Sequence, residues 1–364
     1  MDENKKTCLH DRHVSLGAQM SPFGGFDMPI QYKGIVEEHN AVRTGCGIFD
    51  VSHMGEVSVT GPDAERYVSH IFTNDIAGAP AGKIFYGMML YPDGGTVDDL
   101  LVYKRGDNDF YLVINAANID KDLQWIRDNA AGYDVTILDL SDITGEIAVQ
   151  GPASEAAMRD ITGIDLADLG FYTFREVTLL GSPAIVSRTG YTGEDGFEIY
   201  APHEVTAQLW DRFVGTGKAE PCGLGCRDTL RFEVGLPLYG DELSPDISPV
   251  EAGLGIFVKT DGRDFIGRDA VAAQKESGPR RKIVGLELHD RAIPRHGYEV
   301  VDGDKVVGHV TTGYRGISVD KSIAMALVDA ACATQGKELG VRIRRKTFPA
   351  TVVPKKFYRK SYKK

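Results

Sequence analysis

No run of apolar residues in this 364-residue chain approaches the length needed to cross a bilayer, so no membrane helix is expected. Cysteine is scarce. Cys8, Cys46, Cys222, Cys226 and Cys332 form an odd set with neither disulfide nor zinc spacing. Cys222-Gly-Leu-Gly-Cys226 is a C-x3-C without a second pair to complete a tetrahedral site. His10-Asp11-Arg12-His13 has no further His or carboxylate cluster to support it, and no metal is expected. Also missing are the G-x-x-x-x-G-K-[ST] phosphate loop, a G-x-G-x-x-G after a strand, and a G-x-S-x-G nucleophile elbow. Met1-Asp2-Glu3-Asn4 opens a polar, acidic stretch with no basic region leading into an apolar one, which argues against a signal peptide. With free thiols expected, the cytoplasm is the anticipated setting.

What is present is the composition of a soluble globular protein, 42% hydrophobic and 26% charged, long enough for two or three domains. The net charge is −11 and unevenly placed: residues 341–364 hold ten Lys or Arg (Arg342, Arg344, Arg345, Lys346, Lys355, Lys356, Arg359, Lys360, Lys363, Lys364) and no acid. An acidic body argues against nucleic acid. The basic end reads either as a solvated tail or as a dock for an acidic partner.

An internal repeat organises the first two-thirds. Glu56-Val57-Ser58-Val59-Thr60-Gly61-Pro62 returns as Glu146-Ile147-Ala148-Val149-Gln150-Gly151-Pro152, each followed by an amphipathic segment. Proline suits the first turn of a helix, so both copies read strand, Gly-Pro, helix. A second echo places strand residues 110–114 before a helix bearing Trp125, and Phe197-Glu198-Ile199-Tyr200 before one bearing Trp210. The fold class that follows is α+β: two related antiparallel α+β units. From about Arg281, short β-rich runs alternate with Gly and Asp turns and predict a small C-terminal β-barrel. The expected division is a first, discontinuous α+β domain from residues 1–53 and 140–250, a second from 54–139, and a barrel domain with the basic tail from 251–364.

Two stretches carry candidate chemistry. Asp98 and Asp99 follow the turn signal Pro92-Asp93-Gly94-Gly95 and begin an apolar strand. Adjacent strand residues face opposite ways, so at most one of the two faces a site and they are no proton-sharing pair. They read either as turn-capping acids or as a catalytic acid in a dry cleft. Glu198 enters a strand after three close glycines, Gly190, Gly193 and Gly196. It is either an exposed strand residue or an acceptor for a planar N–H pair, such as a pterin or guanine edge. Arg227 either meets a ligand carboxylate or pairs with a neighbouring acid, and Asp228 reads as a cap or first-turn acid of its helix.

In order and spacing, residues 49–56, 94–100, 115–118, 188–198, 225–228 and 310–313 resemble the glycine cleavage system T proteins, tetrahydrofolate-dependent aminomethyltransferases, over essentially the whole length. The resemblance implies three domains in a cloverleaf around a central folate funnel, with the first domain folate-binding. It implies transfer of the one-carbon unit of an aminomethyl group, carried on the dihydrolipoyl arm of H protein, to tetrahydrofolate as co-substrate, with no metal. It puts the catalytic acid at Asp99, the pterin-edge carboxylate at Glu198, and folate-cleft positions at Met54, Tyr86, Asn115, Tyr191 and Arg227. Lipoylated H protein is the implied partner, with the basic end its dock. Two other readings fit the scaffold: another folate-dependent one-carbon transferase or demethylase, and a folate-binding iron–sulfur assembly factor. The second is disfavoured because the Lys-Gly-Cys order of such proteins is absent at Gly223–Asp228 and Asp99 is retained.

Overall fold

The structure is a computed structural model and describes residues 4–362. Two sheets carry the repeat, antiparallel except for the short parallel pairing of Glu220–Pro221 with Gly47–Asp50. In the first, strands run in the order Phe174–Leu179, Ser182–Ser187, Gly196–Pro202, Thr144–Gln150, Gly47–Asp50, with the short Glu220–Pro221 beyond. In the second the order is Lys83–Leu90, Thr96–Gly106, Asp109–Ile114, Gly55–Thr60, Thr136–Asp139. The two orders correspond strand for strand.

In both units the edge partner of the repeat strand comes from a segment that precedes the other unit's repeat strand. Gly47–Asp50 pairs with Thr144–Gln150, and Thr136–Asp139 pairs with Gly55–Thr60. The crossings are tied symmetrically. The Val51 amide donates to the Glu146 carbonyl at 3.0 Å and the Leu140 amide to that of Glu56 at 2.8 Å. Ser52 Oγ accepts from the Glu146 amide and Ser141 Oγ from the Glu56 amide, each at 3.0 Å. Asp50 and Asp139 hold these serines by accepting their backbone amides at 2.9 and 3.0 Å.

Both sheets bury one face under helices. Trp210 and Phe213 of helix His203–Gly215 enter the core of the first with Ile147, Val149 and Phe197. Tyr67, Val68 and Ile71 of helix Ala64–Ile71 enter that of the second with Val57, Val59 and Leu112. Packed apolar area of this kind is the main stabilising term.

The third body is a closed six-stranded antiparallel barrel in which Arg281–Leu288 closes on Lys346–Val353. Helix Leu224–Glu233 links the bodies through Arg231, 1% exposed. Its guanidinium donates to Asp228 at 2.7 Å, Glu242 at 2.9 Å and the barrel's Thr312 at 3.2 Å. Asp228 is therefore a mid-helix ion-pair partner rather than a cap, which corrects the sequence reading; Gly223 holds the N-cap position.

The basic end is also corrected. It is not a freely solvated tail: the amides of Phe357 and Tyr358 donate to the Glu233 carbonyl at 2.9 and 2.8 Å, and Tyr362 donates to Glu194 at 2.7 Å. Arg342 pairs with Glu299, and Lys355 donates to the Ala252 carbonyl, so neither cation is free. Lys363 and Lys364 lie outside the described residues.

The Gly-Pro of the repeat has a steric reason. Gly61 and Gly151 have φ of +135° and +129°, and a Cβ would stand 2.4 Å from the Asp134 and Gly45 carbonyl oxygens, on the chain leading into the exchanged strands. Gly151→Ala is expected to cost at least ~2 kcal/mol through strain and displaced backbone. A urea-unfolding midpoint that does not fall would refute this.

Candidate active site

Strand Thr96–Gly106 places Asp98 and Asp99 on opposite sides of the second sheet. Asp99 is half-buried and opens into a cavity of about 330 Å³ between the two units. All seven candidate residues, Met54, Tyr86, Asp99, Asn115, Tyr191, Glu198 and Arg227, line this cavity. The far wall comes from the connecting segment through Gly235–Tyr239, Leu254 and Phe257; no barrel strand lines it among the described residues. Its size suits a small-molecule ligand.

Asp99 is oriented by two donors. Tyr86, brought alongside by the antiparallel neighbour Lys83–Leu90, donates its hydroxyl to Oδ2 at 2.9 Å. Asn115, just past strand Asp109–Ile114, donates Nδ2 to Oδ1 at 3.0 Å. Burial, and then the negative charge of Asp98, push the Asp99 carboxyl up to about 7, against these two hydrogen bonds. An acid poised there can both take and give a proton at neutral pH.

Asp98 is fully buried and does more than cap a turn. It accepts from the Asn115 amide at 3.0 Å, from Asn115 Nδ2 at 2.8 Å and from Asn118 Nδ2 at 2.8 Å. Asp122, also fully buried, lies behind it, and its carboxyl is pushed up to about 10 by burial and by Asp98. Asp98 therefore fixes the asparagine that fixes Asp99.

In the same cavity lining Glu198 is 6% exposed, not an exposed strand residue, and accepts from Thr189 Oγ1. Burial raises its carboxyl, while Thr189 and Arg227 oppose the rise. Of the nearby glycines, Gly190 and Gly196 clasp Gln150: a Cβ would meet its side chain at 2.0 and 2.3 Å. They shape the loop by a close protein–protein approach. The guanidinium of Arg227 lies 4.8 Å over the Tyr191 ring, and Tyr86 meets Phe257 edge-on at 4.9 Å. The walls are thus aromatic and the polar groups few, as expected of a site for a flat ring system.

The sequence reading missed His53, Glu146, Tyr172 and Tyr200, which also line the cavity. Burial, then the Arg227 charge, lower His53 to about 4, so it is neutral. Its place in the Ser-His-Met stretch was a signal; Glu146 stood in view as a repeat position. Glu38 comes together with Cys222 and Cys226, all buried, within 4.8 Å. Yet Glu38 accepts the amides of Tyr32, Lys33, Gly34 and Gly223 at 2.6, 3.0, 3.2 and 2.8 Å, which makes it a backbone strut. His13 is likewise structural, 2.9 Å from Asp50.

Two α+β units sharing exchanged strands, a closed barrel, and a carboxyl-bearing aromatic cavity between the units make a three-body architecture with a small-molecule site. Residues 9–262 match the family model described as the GCVT N-terminal domain, and residues 281–359 the glycine cleavage T-protein C-terminal barrel domain. The chain is 50% identical to an aminomethyltransferase of Alkaliphilus oremlandii and 48% to one of Moorella thermoacetica, covering 100% of both chains each time. A crystal structure of the glycine cleavage aminomethyltransferase T from Bartonella henselae superposes with a TM-score of 0.94 at 32% identity, over 100% of both chains. The chain belongs to the glycine cleavage T-protein family and is an aminomethyltransferase. The reading as an iron–sulfur assembly factor or a different one-carbon transferase is not favoured. No helix among the described residues is long and apolar enough to cross a membrane.

Asp98→Asn keeps shape but puts an amide donor among three N–H donors. It is expected to lower stability by roughly 1.5–3 kcal/mol, the range for hydrogen bonds to a charged group. Removing the charge also lowers the Asp99 carboxyl, so the acidic limb of kcat/KM moves to lower pH. A pH–rate profile identical to wild type would remove Asp98 from the positioning of Asp99.

Proposed function

We propose that the aminomethyltransferase reaction runs in this cavity, with Asp99 as the proton-handling acid and Glu198 as the acceptor for the pterin edge of tetrahydrofolate. The observation carrying the reading is that Asp99, doubly held by Tyr86 and Asn115, opens into the same aromatic cavity as Glu198. Cavity and ligand fit. Glu198 can accept from adjacent ring N–H groups, and Tyr86, Tyr191, Phe257 and Met54 can hold a flat ring. Arg227 adds a cation against the pterin end or the ligand's carboxylates.

The one-carbon unit of the aminomethyl group on dihydrolipoyl H protein passes to tetrahydrofolate. The products are 5,10-methylenetetrahydrofolate, ammonia and reduced lipoyl H protein. Tetrahydrofolate supplies the two nitrogens that take the carbon. Two N–H protons must leave it, while the departing amine and the lipoyl sulfur must each gain one. Asp99, with its carboxyl near 7, can accept such a proton and return it. In its ionised form it faces the positive charge that develops as the amine leaves, in a cavity where few polar groups screen it. We assign the reaction to the cytoplasm on the five free thiols.

Asp99→Asn is expected to cut methylenetetrahydrofolate formation from aminomethylated H protein sharply, with tetrahydrofolate affinity nearly intact. Stability supplies a second sign. A carboxyl raised in the fold binds more protons folded than unfolded, so wild type loses stability as pH rises from the ordinary carboxylate range towards about 7. The variant lacks that loss and should melt higher at pH 7.5. Retained turnover would overturn the assignment.

We assign H-protein docking to the basic end, and take two of its exposed cations, Lys356 and Arg359, as the probe. Charge complementarity acts mainly on association and is screened within about 10 Å at 0.1 M salt. Charge reversal at both should raise KM for H protein at low salt, less at high salt, and leave free S-aminomethyl dihydrolipoamide turnover unchanged. A wild-type KM independent of ionic strength would remove this surface from docking.

A further inference from the structure

Glu146 is 3% exposed, lines the cavity, and its Oε2 has no hydrogen-bond partner among the described residues. It lies on strand Thr144–Gln150 directly opposite Tyr200, and so one diagonal step from Glu198 on the same sheet face. Such diagonal neighbours are within reach of long side chains. Two acids thus share one dry end of the cavity, and a buried charge without a partner costs far more than a neutral acid.

The groups facing Glu146 mostly bear the same sign or none. Glu198 and Tyr200 face it from strand Gly196–Pro202, Asp50 from Gly47–Asp50, and Glu56 from Gly55–Thr60. Tyr103 and Tyr111 face it from the second sheet, and the cation Arg227 from helix Leu224–Glu233. Glu56 is its counterpart in the other unit. That residue is fully buried, its two oxygens have no hydrogen-bond partner among the described residues, and it does not reach the cavity lining.

Resting on the folate reading of the cavity, we propose that Glu146 is held as a neutral carboxylic acid that offers its hydrogen into the cavity beside an ionised Glu198. The two acids then present an acceptor pair and a donor side by side. That array complements a heterocycle whose edge carries adjacent N–H groups next to a ring carbonyl, and selects against a ring with an amino group in the carbonyl position. Burial first, and then Glu198, push the Glu146 carboxyl well up, against the charge of Arg227 and a hydrogen bond from Tyr200, which agrees with this arrangement.

The test compares Glu146→Gln, which keeps a neutral donor, with Glu146→Met, which keeps bulk without one. Glu198→Gln serves as a reference, and melting temperature verifies folding. Tetrahydrofolate affinity is read by calorimetry between pH 6 and roughly 10, the upper end set by ordinary lysine and tyrosine titration. At pH 7 Glu146→Gln should bind within about twofold of wild type and Glu146→Met about tenfold more weakly, the loss of one buried hydrogen bond. Wild-type affinity should fall at alkaline pH as Glu146 ionises, and Glu146→Gln should lack that fall. The infrared C=O stretch of a neutral carboxylic acid should lose intensity at pH 7 in Glu146→Gln, with no ligand present. Glu146→Gln binding as weakly as Glu146→Met, or an unchanged neutral-acid band, overturns the proposal. Glu198→Gln weakening binding while both Glu146 variants match wild type also overturns it, and leaves the folate reading standing. No effect of Glu198→Gln removes the folate reading instead, and the infrared band then decides the state of Glu146 alone.

Discussion

The reciprocal clamp between the two units is the constraint from which the rest follows. Ser52 and Ser141 each accept the amide of the other copy's leading glutamate, and each unit borrows its edge strand from across the repeat boundary. Neither sheet is complete without the other's segment, so the units fold as a pair. The same geometry carries Glu56 and Glu146 inward from equivalent positions, towards the junction where the cavity opens. An element that ties two sheets through their backbones leaves little freedom in the distance between them. That distance sets where Asp99 and Glu198, one from each unit, open into the cavity.

Burying so many acids at one junction is costly, and the structure manages it in different ways. Asp98 is surrounded by three N–H donors from Asn115 and Asn118. Asp50 accepts from Thr7 and Ser52 and lies against His13, and its carboxyl is lowered by those partners despite burial. Asp122, Glu56 and Glu146 have no comparable set and are pushed up instead, which favours their neutral forms. Asp99 lies between these extremes. With two donors against burial and a neighbouring charge, it comes to rest near neutrality, where proton transfer in either direction is nearly balanced.

Much of this was legible in the chain. The Gly-Pro echo gave the two units because a +130°-type φ beside a close carbonyl admits only glycine, and it therefore marks the same backbone event twice. The barrel strands were legible because short alternating runs between Gly and Asp turns have few other solutions. Strand alternation separated Asp98 from Asp99, but the choice of Asp99, like Met54, Tyr86, Asn115 and Tyr191, entered only through family resemblance, since nothing local distinguishes a cavity tyrosine from a core one; Arg227 was read locally as either a ligand contact or an ion-pair partner. Glu146 stayed hidden because a carboxylate in a strand normally signals an exposed face; only the second unit, folded against it, makes that face an interior. The tail misled for the opposite reason. Its charges are real, but backbone donation to Glu233 and the docking of Tyr362 depend on partners far away in sequence.

The symmetry itself explains where chemistry could arise. Register pairs Glu198 with Ala148 in the first unit, where the second pairs Tyr111 with Ser58. Ile185 faces Tyr200 where Leu101 faces Val113, so Asp99 stands at the position that Pro183 holds in the other copy. Each unit has thus kept one polar group where its counterpart is an aromatic or a proline. Two identical units would set like carboxylates symmetrically about the junction and give a ligand no preferred direction. The divergence at these two positions brings two different carboxyl groups, Glu198 and Asp99, into the cavity from different units. Under the proposed folate reading, an asymmetric ligand then has one way in which its ring edge and its reacting nitrogens can both be satisfied.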